Sequence, residues 1–347
     1  MFKQFAWKMQ EKGHVLRFTV RDKEHETALL TAYGFAFSSF GRHYRSKIGK
    51  IWGLVKFNTQ LLQVARRFQP DLFLSHGSIY AAQVSALLRK PHISLEDTGN
   101  MEQIRLYRPF TEAILTPDVL PEKLGQNQIR YAGYHELMYL LPAYYSPQDS
   151  IYEVLGLPPG SAYAILRFIS WDATHDTGQG GLTLTLKRKL IEELSPRLAV
   201  FISSEAALSE EFRHLQIRIP PERIHDALAY ATLFVGEGAT MASESGILGT
   251  PAVYVNSLAR CYCQDQEKYG LVFNFRSSQG VLEKVEELSR IPDIKSEWGR
   301  RRARLWREKI DVTAFLVWFV EHFPESRRIL RENPDYQWKF KVQVDEN

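Results

Sequence analysis

LFVGEGATMASESGILGTPAVYV, residues 233–255, is the stretch on which the fold turns. An apolar run, 233–235, reaches a turn containing Gly236 and Gly238. A helical segment follows, bounded by Gly249 and Pro251, and a second apolar run occupies 252–255. Strand, glycine turn, helix and strand in that order make one βαβ unit of a parallel sheet. Gly236 and Gly238 let the backbone turn tightly and approach a ligand closely. The helix beginning around Ala239 and Thr240 presents unpaired N–H groups and a partial positive end, where a diphosphate fits. Glu244 falls about one turn into that helix, where its carboxylate can accept hydrogen bonds from two ribose hydroxyls. A glycine turn before a helix is equally a plain tight connection. Glu244 and the closing Gly249-Thr250-Pro251 favour the ligand.

Working outward, the same rhythm repeats. Strands are expected at 162–168, 198–203, 233–235 and 252–255, with helices at 184–194, 224–230 and 241–248 and more helical pattern beyond Gln264. Upstream, strands at 14–20, 35–39, 71–75, 91–95, 113–116 and 129–132 alternate with helices at 24–33, 48–68, 78–89 and 103–110. Such alternation implies mainly parallel sheets covered on both faces. The expected organisation is an α/β chain of two doubly wound Rossmann-like domains, 1–140 and 161–310. A Tyr-, Pro- and Leu-rich linker at 141–160 joins them, and 311–347 carries a helix that straps one domain to the other, then a charged tail. The chain opens on a helix, 2–10, where an α/β domain ordinarily opens on a strand. Either that strand is absent or the start lies upstream.

The chain has 347 residues, 44% apolar and 24% charged, which is material for two buried cores. A net charge of +4 lacks the concentrated basic stripe of a nucleic-acid binder. Cys261 and Cys263, one residue apart, match neither a disulfide framework nor a zinc knuckle. No apolar run is long enough for a membrane-spanning helix and no secretory signal opens the chain, so a cytoplasmic location is expected. RHYRSKIGKIWGLVKF, residues 42–57, interleaves Arg42, Arg45, Lys47, Lys50 and Lys56 with Ile48, Ile51, Trp52, Leu54 and Val55 before Phe57. This composition suits peripheral contact with an anionic membrane. It equally suits an amphipathic helix burying Ile51, Leu54 and Val55 in its own domain.

Other candidates sit at expected strand ends, where α/β sheets place ligands. Arg167 opens a polar loop with Trp171, Asp172, His175 and Asp176, and can neutralise a departing diphosphate or form a surface ion pair. His76 closes a strand and can bind acceptor or phosphate, or serve the structure. Asp97, or its neighbour Glu96, can take an acceptor's proton, whereas Asp97 can also cap the next helix. Glu136, beside Tyr134 and His135, can touch the donor sugar. Arg223 and His225 precede the main motif, with backbone near Ile219 able to read a base.

GEGATMASESGILGTP, residues 236–251, resembles the donor-binding segment of GT-B glycosyltransferases such as the peptidoglycan N-acetylglucosaminyltransferase. Over residues 2–320 the order of segments is similar to a glycosyltransferase-like family, domain of unknown function 354. The matching motifs are His76-Gly77-Ser78, Glu96-Asp97, Tyr131 to Gly133, and Arg167. The resemblance implies two Rossmann-like domains facing each other across a cleft and a nucleotide-sugar ligand, with no metal. The family's opening strand and its Pro-Pro-His-like loop have no counterpart here, a departure that bears on catalytic competence. The first reading is therefore a glycosyltransferase moving sugar from a nucleotide donor, a UDP-sugar favoured, to a surface-glycan or lipid-linked acceptor. The second is a UDP-N-acetylglucosamine 2-epimerase-like enzyme, against which Gly236-Glu237-Gly238-Ala239 replaces the expected Asp-Ser-Gly-Gly. Asn256-Ser257-Leu258-Ala259 likewise replaces Thr-Glu-Arg-Pro-Glu. A non-catalytic nucleotide-sugar-binding protein is the third.

Overall fold

The computed structural model describes residues 1–21, 24–41, 47–169, 182–204 and 207–343. The chain divides into two compact units, Met1–His135 with Ile310–Phe340, and Glu136–Lys309 with Lys341–Asn347.

In the first unit, β1 (Phe18–Val20) pairs in parallel with β2 (Phe37–Ser39). A separate parallel sheet runs in the order β3 (Phe73–His76), β4 (His92–Leu95), β5 (Ala113–Pro117) and β6 (Gln128–Tyr131). The expected strand at 14–20 shrinks to its last three residues, and a helix, Lys3–Glu11, precedes it. The helix Lys47–Phe68 turns Phe57, Leu61 and Ala65 toward Phe73, Ala81 and Val84, a core that also takes in Phe40. Trp52 and Val55 lie on its outer side, 62% and 55% exposed, so Val55 is not the buried contact that an amphipathic reading requires. Arg42 and Arg45 lie outside the described residues. Helix Val312–Glu321, expected as an interdomain strap, belongs to the first unit, with Asp311 capping it by accepting the Ala314 N–H at 2.9 Å. Its Phe315 ring packs 5.8 Å from Tyr131.

The second unit holds one five-stranded parallel sheet in the order β11–β10–β9–β7–β8. Its strands are β7 (Tyr163–Phe168), β8 (Ala199–Ser204), β9 (Leu233–Gly236), β10 (Ala252–Val255) and β11 (Val272–Phe275). β9 and β10 are buried throughout, as near-continuous apolar strands covered on both faces must be. The stretch read as a linker instead carries a short helix, Ile151–Val154, whose Ile151 and Tyr152 are buried in this unit. From β7 the chain adds β8 on one side, then returns to add β9, β10 and β11 on the other. The direction of winding thus reverses between β7 and β9, and open α/β sheets bind ligands at the carboxyl ends of the strands flanking such a reversal.

Among the described residues no helix is long and apolar enough to cross a membrane.

Candidate functional site

The reversal in the second unit is where the glycine turn lies. Arg167 and Gly236 are direct partners in the β7–β9 register, and the Glu237 N–H donates to the Arg167 carbonyl at 3.0 Å. A Cβ on Gly236 would stand 2.7 Å from both Arg167 Cβ and its carbonyl oxygen, so the strands approach this closely only with glycine. Gly238 is the N-cap of the helix Ala239–Leu248, and no side chain caps it. Thr240 is exposed and Ala239 half-buried, and no side chain caps the amides of the first turn. Arg167 is half-buried, donates from Nη1 to Ser203 Oγ at 2.8 Å, and passes its Cγ 3.4 Å from the position of a Gly238 Cβ. A guanidinium and an uncapped helix start therefore share one spot, a combination that favours a dianion.

The acids around this turn play distinct parts. Glu237 is buried: its Oε2 accepts the Ile169 N–H and its Oε1 the Leu182 N–H, both at 2.9 Å, with Lys187 Nζ at 3.7 Å. It thereby ties Ile169 to Leu182 through one carboxylate. Trp171, Asp172, His175 and Asp176 lie outside the described residues. Glu244, 6% exposed, accepts at Oε1 from Tyr139 Oη at 2.8 Å and meets His225 Nε2 at 3.0 Å. Burial, then the charges of Glu244 and Glu136, raise the Tyr139 pKa well above its ordinary value, so the phenol remains a donor. Oε2 of Glu244 takes no hydrogen bond among the described residues. Glu136 is buried, and its charge adds to the burial that raises the Cys263 thiol, whose Sγ lies 3.5 Å from the Ala239 carbonyl oxygen. Arg223 pairs with Asp226 at 2.5 Å. The Gly249-Thr250 close is structural: Gly249 takes φ 81° as the helix C-cap, and Lys295 Nζ binds the carbonyls of Ala229, Ala231 and Gly249 and Thr250 Oγ1.

In the first unit, strand ends gather a second constellation. His76 closes β3 and Asp97 follows β4, while His135 comes four residues after β6. Asp97 accepts at both oxygens, Oδ1 facing His76 Nε2 at 3.1 Å and Oδ2 facing His135 Nδ1 at 3.0 Å. Asp97 does not cap the following helix; Asn100 does, accepting the Gln103 N–H at 3.3 Å. Glu96 is not a free acid either. Its Oε1 accepts from Thr98 N, Thr98 Oγ1 and Gly99 N, and its Oε2 from Tyr107 Oη at 2.8 Å, which fixes the turn carrying Asp97. Gln103 Nε2 donates to the Gly77 carbonyl at 2.6 Å and Ser94 Oγ accepts the Gly77 N–H, which sets His76. Burial opposes the charge on Asp97, but the His135 charge and the hydrogen bonds from both rings hold its carboxyl far below the usual range. His76 is pulled down by burial and lifted by the hydrogen bond and charge of Asp97, with a net rise above 6.5. Its side chain is 38% exposed, whereas that of His135 is 6% exposed.

Residues 1–284 match the model of a family described as "Protein of unknown function (DUF354)". The chain belongs to the DUF354 family. A relative of the chain, "Uncharacterized protein MJ0665" of Methanocaldococcus jannaschii, is 25% identical over 276 residues, covering 76% of this chain and 78% of that protein. Among solved structures, a candidate UDP-N-acetylglucosamine 2-epimerase of Listeria monocytogenes superposes with a TM-score of 0.64 at 12% identity, covering 99% of this chain and 94% of that one. S. aureus MnaA, solved with UDP, gives 0.61 at 12% identity over 100% and 95%. The glycosyltransferase SsfS6 of Streptomyces sp. SF2575, solved with thymidine diphosphate, gives 0.57 at 14% identity over 92% and 95%. This DUF354 chain therefore has the two-domain Rossmann-like fold of GT-B glycosyltransferases and UDP-N-acetylglucosamine 2-epimerases.

The structure groups the predicted residues by unit. Arg167, Gly236, Gly238, Ala239 and Thr240 come together at the reversal of the second unit, with Glu244 deeper along the same helix and Glu136 at the start of the separate short helix Leu137–Leu140. His76 and Asp97 meet in the first unit. Sequence reading missed three supporting side chains: Glu237 as the acceptor of the Ile169 and Leu182 amides, His135 as the second histidine on Asp97, and Tyr139 as a donor to Glu244. Only the acid within the Gly-x-Gly turn carried a signal, since a carboxylate there must be neutralised by amides or a cation.

Proposed function

We propose that this protein is a glycosyltransferase that takes a sugar from a nucleotide donor, a UDP-sugar in preference, and passes it to a surface-glycan or lipid-linked acceptor. The observation that carries the reading is the uncapped helix start after Gly238 with Arg167 across from it at the sheet's reversal. Amides of Ala239 and Thr240 and the Arg167 guanidinium receive the diphosphate. As the glycosidic bond to phosphate breaks, the charge growing on the leaving diphosphate meets fixed positive groups, which is electrostatic stabilisation without a metal. Glu244, oriented by Tyr139 and His225, offers its remaining oxygen to ribose hydroxyls, and Glu136 faces the sugar. The UDP and thymidine diphosphate in solved structures of the same fold are consistent with this ligand class.

For the acceptor, His76 is the better base. Its ring is accessible and its partner Asp97 stabilises the imidazolium that forms when it takes a hydroxyl proton. Asp97, acidified by two rings, acts by orienting His76 rather than as the base itself. In this reading the protein works in the cytoplasm and touches the inner face of the membrane through residues 42–57, where Trp52 and Val55 are exposed. A 2-epimerase-like activity is the second reading, because epimerases share the fold.

Incubation with labelled nucleotide-sugars tests the reading. Transfer of the sugar to acceptor, or its slow hydrolysis, accords with it. Appearance of the epimeric nucleotide-sugar selects the second reading, and nucleotide binding without turnover rejects both.

A further inference from the structure

The cluster of His76, Asp97 and His135 has a second chemical property. One ligand atom from each residue lies within 4.8 Å of the others, so two imidazole nitrogens and a carboxylate oxygen converge on one point. Zinc-class ions bind such donors at about 2.0–2.2 Å, which sets neighbouring donors in a tetrahedral shell roughly 3.3 Å apart. The two Asp97–histidine separations, 3.1 Å from Oδ1 to His76 and 3.0 Å from Oδ2 to His135, approach that spacing on either side of the carboxylate. The ring planes of His76 and His135 are nearly perpendicular, at 81°, with centroids 5.1 Å apart, and all three ligand atoms lie within 4.8 Å of one another.

The three donors are also held from behind. Asp97 rides on the turn locked by Glu96, His76 on the turn fixed by Gln103 and Ser94, and His135 stacks on Tyr131 at 6.4 Å. Among the described residues Nε2 of His135 is buried without a hydrogen-bond partner, so a bond at that nitrogen is not what fixes the ring there. Donor sets carried on rigid elements with a supporting shell are what metal sites require. Three protein ligands with one accessible face leave a coordination position for water or a ligand hydroxyl.

We infer that His76, Asp97 and His135 form a binding site for a divalent transition-metal ion of the zinc class. The ion replaces the two histidine–carboxylate hydrogen bonds, with Asp97 supplying negative charge and each ring one lone pair. The three residues belong to the first unit, and the nucleotide turn of the second unit has no histidine or cysteine donor set of its own among the described residues. When the ion is bound, the lone pair of His76 is engaged and no longer available to take a proton. The ion is thus an inhibitor if His76 is the base, a consequence that rests on the proposed function, while binding itself does not.

The test is calorimetric titration of the full chain with Zn2+, repeated with Co2+ and followed by visible absorption. The expected result is one ion per chain and a Co2+ spectrum of tetrahedral intensity. His76→Ala and Asp97→Asn should each weaken binding about 10-fold or more. His76→Ala removes an accessible ring and leaves the core untouched, so it remains informative if Asp97→Asn fails to fold. UDP binding, measured on the same samples, checks the nucleotide turn separately. Absence of binding at millimolar Zn2+, or equal affinity in the His76→Ala variant, overturns the assignment whatever UDP does.

Discussion

Two glycines two residues apart should behave differently when each is replaced by alanine, and the difference follows from the packing of Arg167. At Gly236 the added methyl would sit 2.7 Å from Arg167 Cβ and from its carbonyl oxygen, closer than carbon atoms approach. The obstacle on one side is backbone in the neighbouring strand, so β7 and β9 must separate. Overpacking of this kind costs about 1–3 kcal/mol. For a unit of this size each kcal/mol lowers Tm by roughly 2–4 °C, so Gly236→Ala should lose from about 2 to about 12 °C. At Gly238 the methyl would meet only the flexible Arg167 side chain, Cγ at 3.4 Å and Nε at 3.9 Å, with φ at an ordinary −91°. Exchange at that N-cap costs no more than about 1 kcal/mol. Differential scanning calorimetry, with and without UDP, reads both quantities. Gly236→Ala should lower the transition and abolish its UDP-induced rise; Gly238→Ala should keep the transition and diminish the rise. Equal stability of Gly236→Ala and parent would refute the close strand approach on which the cradle is built.

Three further outcomes are expected. Glu244→Ala should remove most of the UDP-induced rise in Tm, and an unchanged rise would reject the ribose role. His76→Ala should reduce transfer by about 10²–10⁴-fold with little change in donor KM, since a positioned base contributes that much; a KM effect alone would count against it. His92 is fully buried between Ser75 Oγ at 2.9 Å and Thr111 Oγ1 at 2.8 Å, and burial pushes its pKa down to about 3. A lowered folded pKa contributes stability that is present above the unfolded value near 6.5 and lost as pH falls toward 3. At about 1.36 kcal/mol per pKa unit this reaches at most about 5 kcal/mol, so urea denaturation of the parent should steepen in its pH dependence below 6.5 and that of His92→Asn should not.

The second unit was readable because its strands are buried on both faces and bounded by glycine and proline. Leu233, Phe234 and Val235 announce β9 without help from periodicity. β11, Val272–Phe275, escaped notice: three of its four residues are only half-buried, and VFNF has neither an apolar run nor a clean alternation. Residues 14–17 failed the other way, since His14, Val15 and Arg17 favour extended backbone but find no partner strand. Residue type was legible where backbone geometry dictates it, as at Gly236, where a Cβ would meet Arg167. Site residues were illegible where the partner is distant in sequence. Asp97, opening the turn Asp97-Thr98-Gly99-Asn100, looks like a cap, and nothing local indicates that Asn100 takes that part while His76 and His135 claim the carboxylate.

Calorimetric titration with UDP and with uridine, on the parent and on Arg167→Ala, bears most directly on the helix-start cradle. If the amides after Gly238 and the Arg167 guanidinium receive a diphosphate, UDP binds the parent far more tightly than uridine does. The Arg167→Ala exchange then removes most of that advantage while leaving uridine unchanged. UDP and uridine binding with equal affinity, or a UDP advantage that survives loss of Arg167 and of the Gly238 turn, would contradict it.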